Sequence, residues 1–227
     1  MANGRQPKAK RMTMSERAQH QLALHFPDAP AVWLWHRKTN DGYISIPRTL
    51  PIAMQAIDAQ TKGQPAGHTL FCLWSRSPDH ALITIENPVT FASEAGFVGE
   101  RAVDTWRRRM KSLRDLRFIH TKKGPSGDFH YVMLSNPNVA TEWMRDAKLI
   151  QDGLYARFID RVIEIGAYGE IEAIREYWEE AKKAEAEAER LKASQAASAP
   201  ATAAPPPPPP PNTSPTVKRV RRTKAAN

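Results

Sequence analysis

Residues 94–119 read EAGFVGERAVDTWRRRMKSLRDLRFI, and residues 124–134 read GPSGDFHYVML. At about 100° per residue, Ala102, Val103, Trp106, Met110 and Leu113 fall on one stripe, as in a helix packed against a core. The sequence therefore predicts a helix over residues 100–116, with Val103, Trp106, Met110 and Leu113 as its structural core. The opposite side carries Arg101, Asp104, Thr105, Arg108 and Lys111. Arg107 and Arg109 flank that side. Between residues 101 and 123 nine Lys or Arg face two acids, a net +7 in a chain whose formal net charge is +9. Ordinary solvated helices mix both signs and gain from oppositely charged neighbours. A segment with so few acids instead points to a polyanion as partner.

The chain around this helix has a readable order. Asn40-Asp41-Gly42 is a turn signal, and Tyr43 to Ile46 alternates as a short strand would. Two apolar stretches follow, TLPIAMQAID and GHTLFCLWSRS, which read as helices, and ALITIEN reads as a short β-branched strand. Asn87-Pro88 then opens a brief helix, with asparagine as cap and proline at the first helical position. After the long helix come two β-prone runs around a Gly/Pro/Ser/Asp loop, hence a hairpin. The expected fold is mainly α with a small β-hairpin, an α+β arrangement, followed by C-terminal helices and a disordered tail.

This succession, carried by EAGFVGERAVDTWRRRMKSLRDLRFI and by GPSGDFHYVML, resembles the winged helix-turn-helix family over about residues 47–136. That family includes bacterial transcription regulators and plasmid or phage replication proteins. There is also a looser similarity to uncharacterised proteins carried on proteobacterial plasmids. The resemblance implies that the second helix of the pair enters the DNA major groove through its N-terminal half. Arg101, Thr105 and Arg108 are then the expected base readers, since an arginine fork matches the acceptors of guanine. Asp104 would either accept from a cytosine amino group or orient a neighbouring arginine. Arg107, Arg109 and Lys111 are expected on phosphates. The wing, residues 121–129, would offer Lys122 and Lys123 to the backbone, with Gly124 and Gly127 allowing its tight turn.

The remaining segments suggest arms and adaptors. Residues 1–17 read as a disordered basic arm, and 18–140 as the winged helix-turn-helix domain with its N-terminal strand and helices. Residues 141–192 read as C-terminal helices, and 193–227 as a disordered Ala/Pro-rich linker with a basic tail. In that linker seven consecutive prolines, from Pro205 to Pro211, should form a stiff polyproline II rod. The rod either holds the basic tail away from the body or docks into an aromatic-lined groove on a protein partner. Within the C-terminal helices Leu154, Phe158, Val162 and Ile165 form one stripe, and Ile171, Ile174, Trp178 and Ala181 another. Such stripes suit either docking on their own domain or homodimerisation through residues 154–181.

The single cysteine, Cys72, excludes an intramolecular disulfide, and its setting in LFCLW suits a buried residue of a reducing cytoplasm. No apolar stretch approaches the ~20 residues of a membrane span. A cytoplasmic, nucleoid-associated protein without membrane contact is expected. The sequence offers no phosphate-binding glycine loop, HExxH, GxSxG or CxxC, so neither an enzyme, a metal site nor a cofactor is expected. His36, Arg37, Lys38 and Asp41 lie close together in WHRKTND, as in a nuclease site or simply a polar turn. His120 and His130 are expected to face each other across the hairpin. The favoured function is sequence-specific binding of double-stranded DNA, in transcription regulation or in plasmid or phage replication and partition. The alternative is a protein-interaction adaptor using the winged helix and proline rod; RNA binding ranks third.

Overall fold

The computed structural model describes residues 12–198. It contains helices α1 (Met14–His25), α2 (Leu50–Gln60), α3 (Gly67–Ser75), α4 (Pro88–Glu94), α5 (Ala102–Asp115), α6 (Pro137–Asp146), α7 (Asp152–Glu164) and α8 (Tyr168–Ser198). Three strands, β1 (Leu82–Thr84), β2 (Ile119–Gly124) and β3 (Gly127–Leu134), form one antiparallel sheet in the order β1-β3-β2. The protein is thus mainly helical with a small sheet. Its contacts divide it into two units, residues 1–174 and residues 175–227.

In the first unit, α2 buries Leu50, Ala53, Ala56 and Ile57, which recur at helical spacing. It crosses α3 closely: a Cβ on Gly67 would meet Met54 Cβ at 2.9 Å. The Asp58 carboxylate of α2 accepts from the amides of Ala66 and Gly67 at 2.9 and 2.7 Å. It therefore satisfies amide donors at the start of α3 that the helix itself leaves open. Asn87 caps α4 by accepting from the Val89 amide at 3.0 Å, as the Asn-Pro pair suggests. A turn through Gly96, at φ 82°, ends α4, and α5 begins six residues later.

The larger of two core clusters is built on α2, α3, the sheet, α4, α5, α6 and the start of α7. Trp106 is 1% exposed within it, its ring 5.9 Å from Phe129 and 6.3 Å from Phe91. On the inner side of the sheet Ile83, Val132 and Leu134 are buried, whereas their neighbours Leu82, Tyr131 and Met133 are exposed, the alternation of a sheet covered on one face.

Several expectations need correction. Tyr43 to Ile46 form no strand among the described residues. Tyr43 instead packs edge-on against Trp35 and accepts from Arg37 Nε at 3.1 Å. Alternating residues become a strand only when another strand pairs with them, and none does here. Residues 14–17, expected within the basic arm, belong instead to α1, which opens with a reciprocal capping box between Thr13 and Glu16 and buries no residue. No boundary falls at residue 140, because Ala140, Met144, Ile150 and Leu154 continue the same core. Phe158, Val162 and Ile171 form a second buried cluster within the first unit. Residues 193–198 are helical rather than linker. The proline rod and both basic termini lie outside the described residues.

Candidate nucleic-acid interface

The fold lets α5 present one side outward because the other is committed to the core. Trp106, Met110 and Leu113 are buried, while Val103 is half-buried against the same cluster. Arg101 is the residue preceding the first turn and caps it with no side-chain bond. Arg101, Asp104, Arg107, Arg108 and Lys111 are exposed, and Thr105 is half-buried between them and the core. At about 1.5 Å per residue, the row from Arg101 to Arg108 covers roughly 10 Å of helix.

Local bonds set how these side chains stand. Arg107 Nη1 lies 3.3 Å from Asp104 Oδ1, a solvated ion pair worth at most about 1 kcal/mol. Asp104 therefore stands within ion-pairing distance of a neighbouring arginine. Arg108 Nη2 donates to Thr105 Oγ1 at 3.3 Å, which joins two of the expected base readers into one donor group. Arg101, Arg108, Lys111, Lys122 and Lys123 have no carboxylate within 4.0 Å among the described residues. Their charge is therefore available to a partner.

Arg109 departs from the expected role. It is only 9% exposed, donates from Nη1 to Gln64 Oε1 at 2.8 Å and lies over the Phe97 ring at 5.7 Å. Burial, with a smaller contribution from the like charge of Arg108, pushes its pKa down from the ordinary arginine value. Its Nε is buried without a partner. Arg109 sits beside the apolar stripe, and the loop carrying Gln64 and Phe97 near the end of α4 draw it inward. It is a packing residue, not a phosphate contact.

The hairpin comes next to α5 through Phe129, whose ring meets both Trp106 and the Arg114 guanidinium, the latter at 5.6 Å. Arg117, at φ 61° just past the end of α5, is stacked on Trp143 at 4.4 Å. Lys122 and Lys123 are exposed on β2, which pairs with β3 through an irregularity between Lys122 and Gly124. The tip is a two-residue loop, Pro125-Ser126, closed by Gly127 at φ 117°. Ser126 Oγ donates to the Ile85 carbonyl, and His130 Nδ1 lies 2.8 Å from Ser126 Oγ and 3.1 Å from that carbonyl. The tip is therefore tied to the end of β1. His130 does not face His120: it is buried, and His120 pairs with Met133.

The glycine at the hairpin corner is required by contact. A Cβ on Gly124 would lie 2.3 Å from His130 Cδ2, and the imidazole is itself held by Ser126 and by an edge contact with Tyr131 at 4.4 Å. Gly124→Ala is expected to cost about 1–3 kcal/mol through overpacking, read as a lowered thermal midpoint. Elsewhere, Cys72 is buried, and desolvation, with a smaller push from Glu94, raises its thiol pKa. Since the thiolate is the reactive form, an aromatic disulfide reagent is expected to label Cys72 slowly in the native protein and rapidly in denaturant.

Among the described residues no helix is long and apolar enough to cross a membrane, and no three His, Cys, Asp or Glu side chains are grouped as metal ligands. His36, Arg37 and Lys38, which with Asp41 suit either a nuclease site or a polar turn, lie in a turn in which Asn40 Oδ1 accepts from the His36 amide at 2.7 Å. No protein-family model matches the chain, and neither a curated protein nor a solved structure matches it.

Proposed function

We propose that this chain is a sequence-specific double-stranded DNA-binding protein of the winged helix-turn-helix kind, serving transcription regulation or plasmid or phage replication and partition. The observation that carries the proposal is the outward side of α5. Arg101, Thr105, Arg108 and Lys111 stand there without a carboxylate partner among the described residues, opposite a buried stripe, and the hairpin carries two further exposed lysines. The order helix, strand, helix, helix, hairpin, with β3 between β1 and β2, suits the same reading. In it, the N-terminal half of α5 lies in the major groove, and Arg108 with Thr105 reads base edges. Lys122 and Lys123 contact the backbone, and Arg107 and Lys111 hold phosphates, which fix register without carrying sequence information. A homodimer on paired half-sites would add affinity without new contacts.

Two substitutions separate base readout from positioning. Arg108→Ala is expected to cost about 1–3 kcal/mol on the preferred site and relax discrimination at one base pair. Lys122→Ala is expected to weaken all duplexes alike. Fluorescence anisotropy with matched and single-mismatch duplexes checks both, and identical effects of the two changes on every duplex would remove the base-reading assignment.

A second reading, a protein-interaction adaptor, is favoured by one feature. Trp33 and Trp35 are 80% and 65% exposed, next to Val32 in the sequence, an apolar run that the described residues leave largely exposed. Exposed aromatic runs of this kind are typical protein-docking surfaces. Absence of duplex binding at low salt, with a protein captured through Trp33 and Trp35, would favour it.

A further inference from the structure

A cleft of about 490 Å³ opens in the first unit between the end of α3, the end of β3 and the start of α6. Two carboxylates, Asp79 and Glu170, line it together with the imidazole of His80, and no lysine or arginine does. On a chain of formal net charge +9 it is a locally negative concavity. Glu170 is held in place by neutral donors. Asn136 Nδ2 donates to one of its oxygens and Asn138 Nδ2 to the other, the latter at 2.9 Å. Asn138 is itself buried and accepts from Thr49 Oγ1 at 2.6 Å. These amides position the carboxylate without neutralising it. Asp79 stands at φ 53°, a left-handed conformation uncommon for a residue other than glycine, and is exposed.

No Lys or Arg of the described residues approaches either carboxylate within 4.0 Å. Arg37 feels the Asp79 charge only weakly, its main partner being the Tyr43 hydroxyl. Trp74 supplies an aromatic wall to the cleft, and its Nε1 is buried without a hydrogen-bond partner. Leu134 adds apolar surface. A concavity of one sign with low-dielectric walls concentrates the opposite charge. An indole face attracts ammonium groups as well. Clefts of this size with a few convergent polar groups suit small organic molecules.

We propose that this cleft binds a small organic amine, with its ammonium directed to Asp79 and Glu170 and its apolar body against Trp74. The proposal does not rest on the DNA-binding reading, and its test contains no DNA. Isothermal titration of the full chain would use tryptamine as probe, with indole-3-propionate as a control of like ring and opposite charge. Saturable one-to-one binding of the amine and none of the acid are expected. Asp79→Asn and Glu170→Gln are each expected to weaken the amine roughly tenfold, the effect of about 1.4 kcal/mol. Asparagine tolerates positive φ, so Asp79→Asn removes charge while the backbone stays, and its melting curve should match that of the unmodified chain. It keeps the test decisive even if Glu170→Gln disturbs the fold. No saturation by about 10 mM amine, equal binding of the acid, or undiminished affinity in Asp79→Asn would overturn the proposal.

Discussion

Trp106→Ala is expected to lower stability by about 3–5 kcal/mol, a large part of what a domain of this kind has in total. Trp106 is the side chain through which α5 meets both α4, at Phe91, and β3, at Phe129. It is almost fully buried, so its removal leaves a cavity that three elements would have to collapse to fill. Urea unfolding checks the expectation: the midpoint should fall with little change in slope. Arg108→Ala, on the opposite side of the same helix, is expected to leave that midpoint within about 0.5 kcal/mol of the original. A variant pair that separates in stability and affinity in this way would show that the two sides of α5 have different work.

The second large effect is on affinity. Six exposed cations face outward on α5 and β2: Arg101, Arg107, Arg108, Lys111, Lys122 and Lys123. If four to six of them neutralise phosphates, log affinity should fall with log salt at a slope of about −4 to −5. Between about 50 and 200 mM salt that is a loss of roughly two to three orders of magnitude. The five positive charges at residues 218–224 can only steepen the slope. Anisotropy titrations at four salt concentrations measure it, and a slope near zero would mean that these side chains do not meet a polyanion.

The long helix was legible because its apolar residues recur at 102, 103, 106, 110 and 113, a pattern that needs no tertiary information. The hairpin was legible because Gly124-Pro125-Ser126-Gly127 marks a turn between two β-prone runs. The fate of Arg109 was not, since it sits at the edge of the stripe and its partners, Gln64 and Phe97, come from distant loops. The lock on the hairpin tip was equally hidden, because Ser126, His130 and the Ile85 carbonyl meet only once β1 pairs with β3. Tyr43 to Ile46 carries strand propensity, but propensity alone creates no partner strand. In contrast, the start of α1 is written in the sequence, since Thr13 and Glu16 spell out a capping box, but the basic residues before them carry the composition of an arm.

The most direct test of DNA readout by α5 is a binding selection from a random duplex library at about 150 mM salt, comparing the unmodified chain with Arg101→Ala/Arg108→Ala. Enrichment of a single motif by the unmodified chain, lost in the double variant, is the expected result, and an inverted repeat within it would point to a dimer. Retention of duplex without any enriched motif, or the same motif enriched by both proteins, would contradict base reading by Arg101 and Arg108.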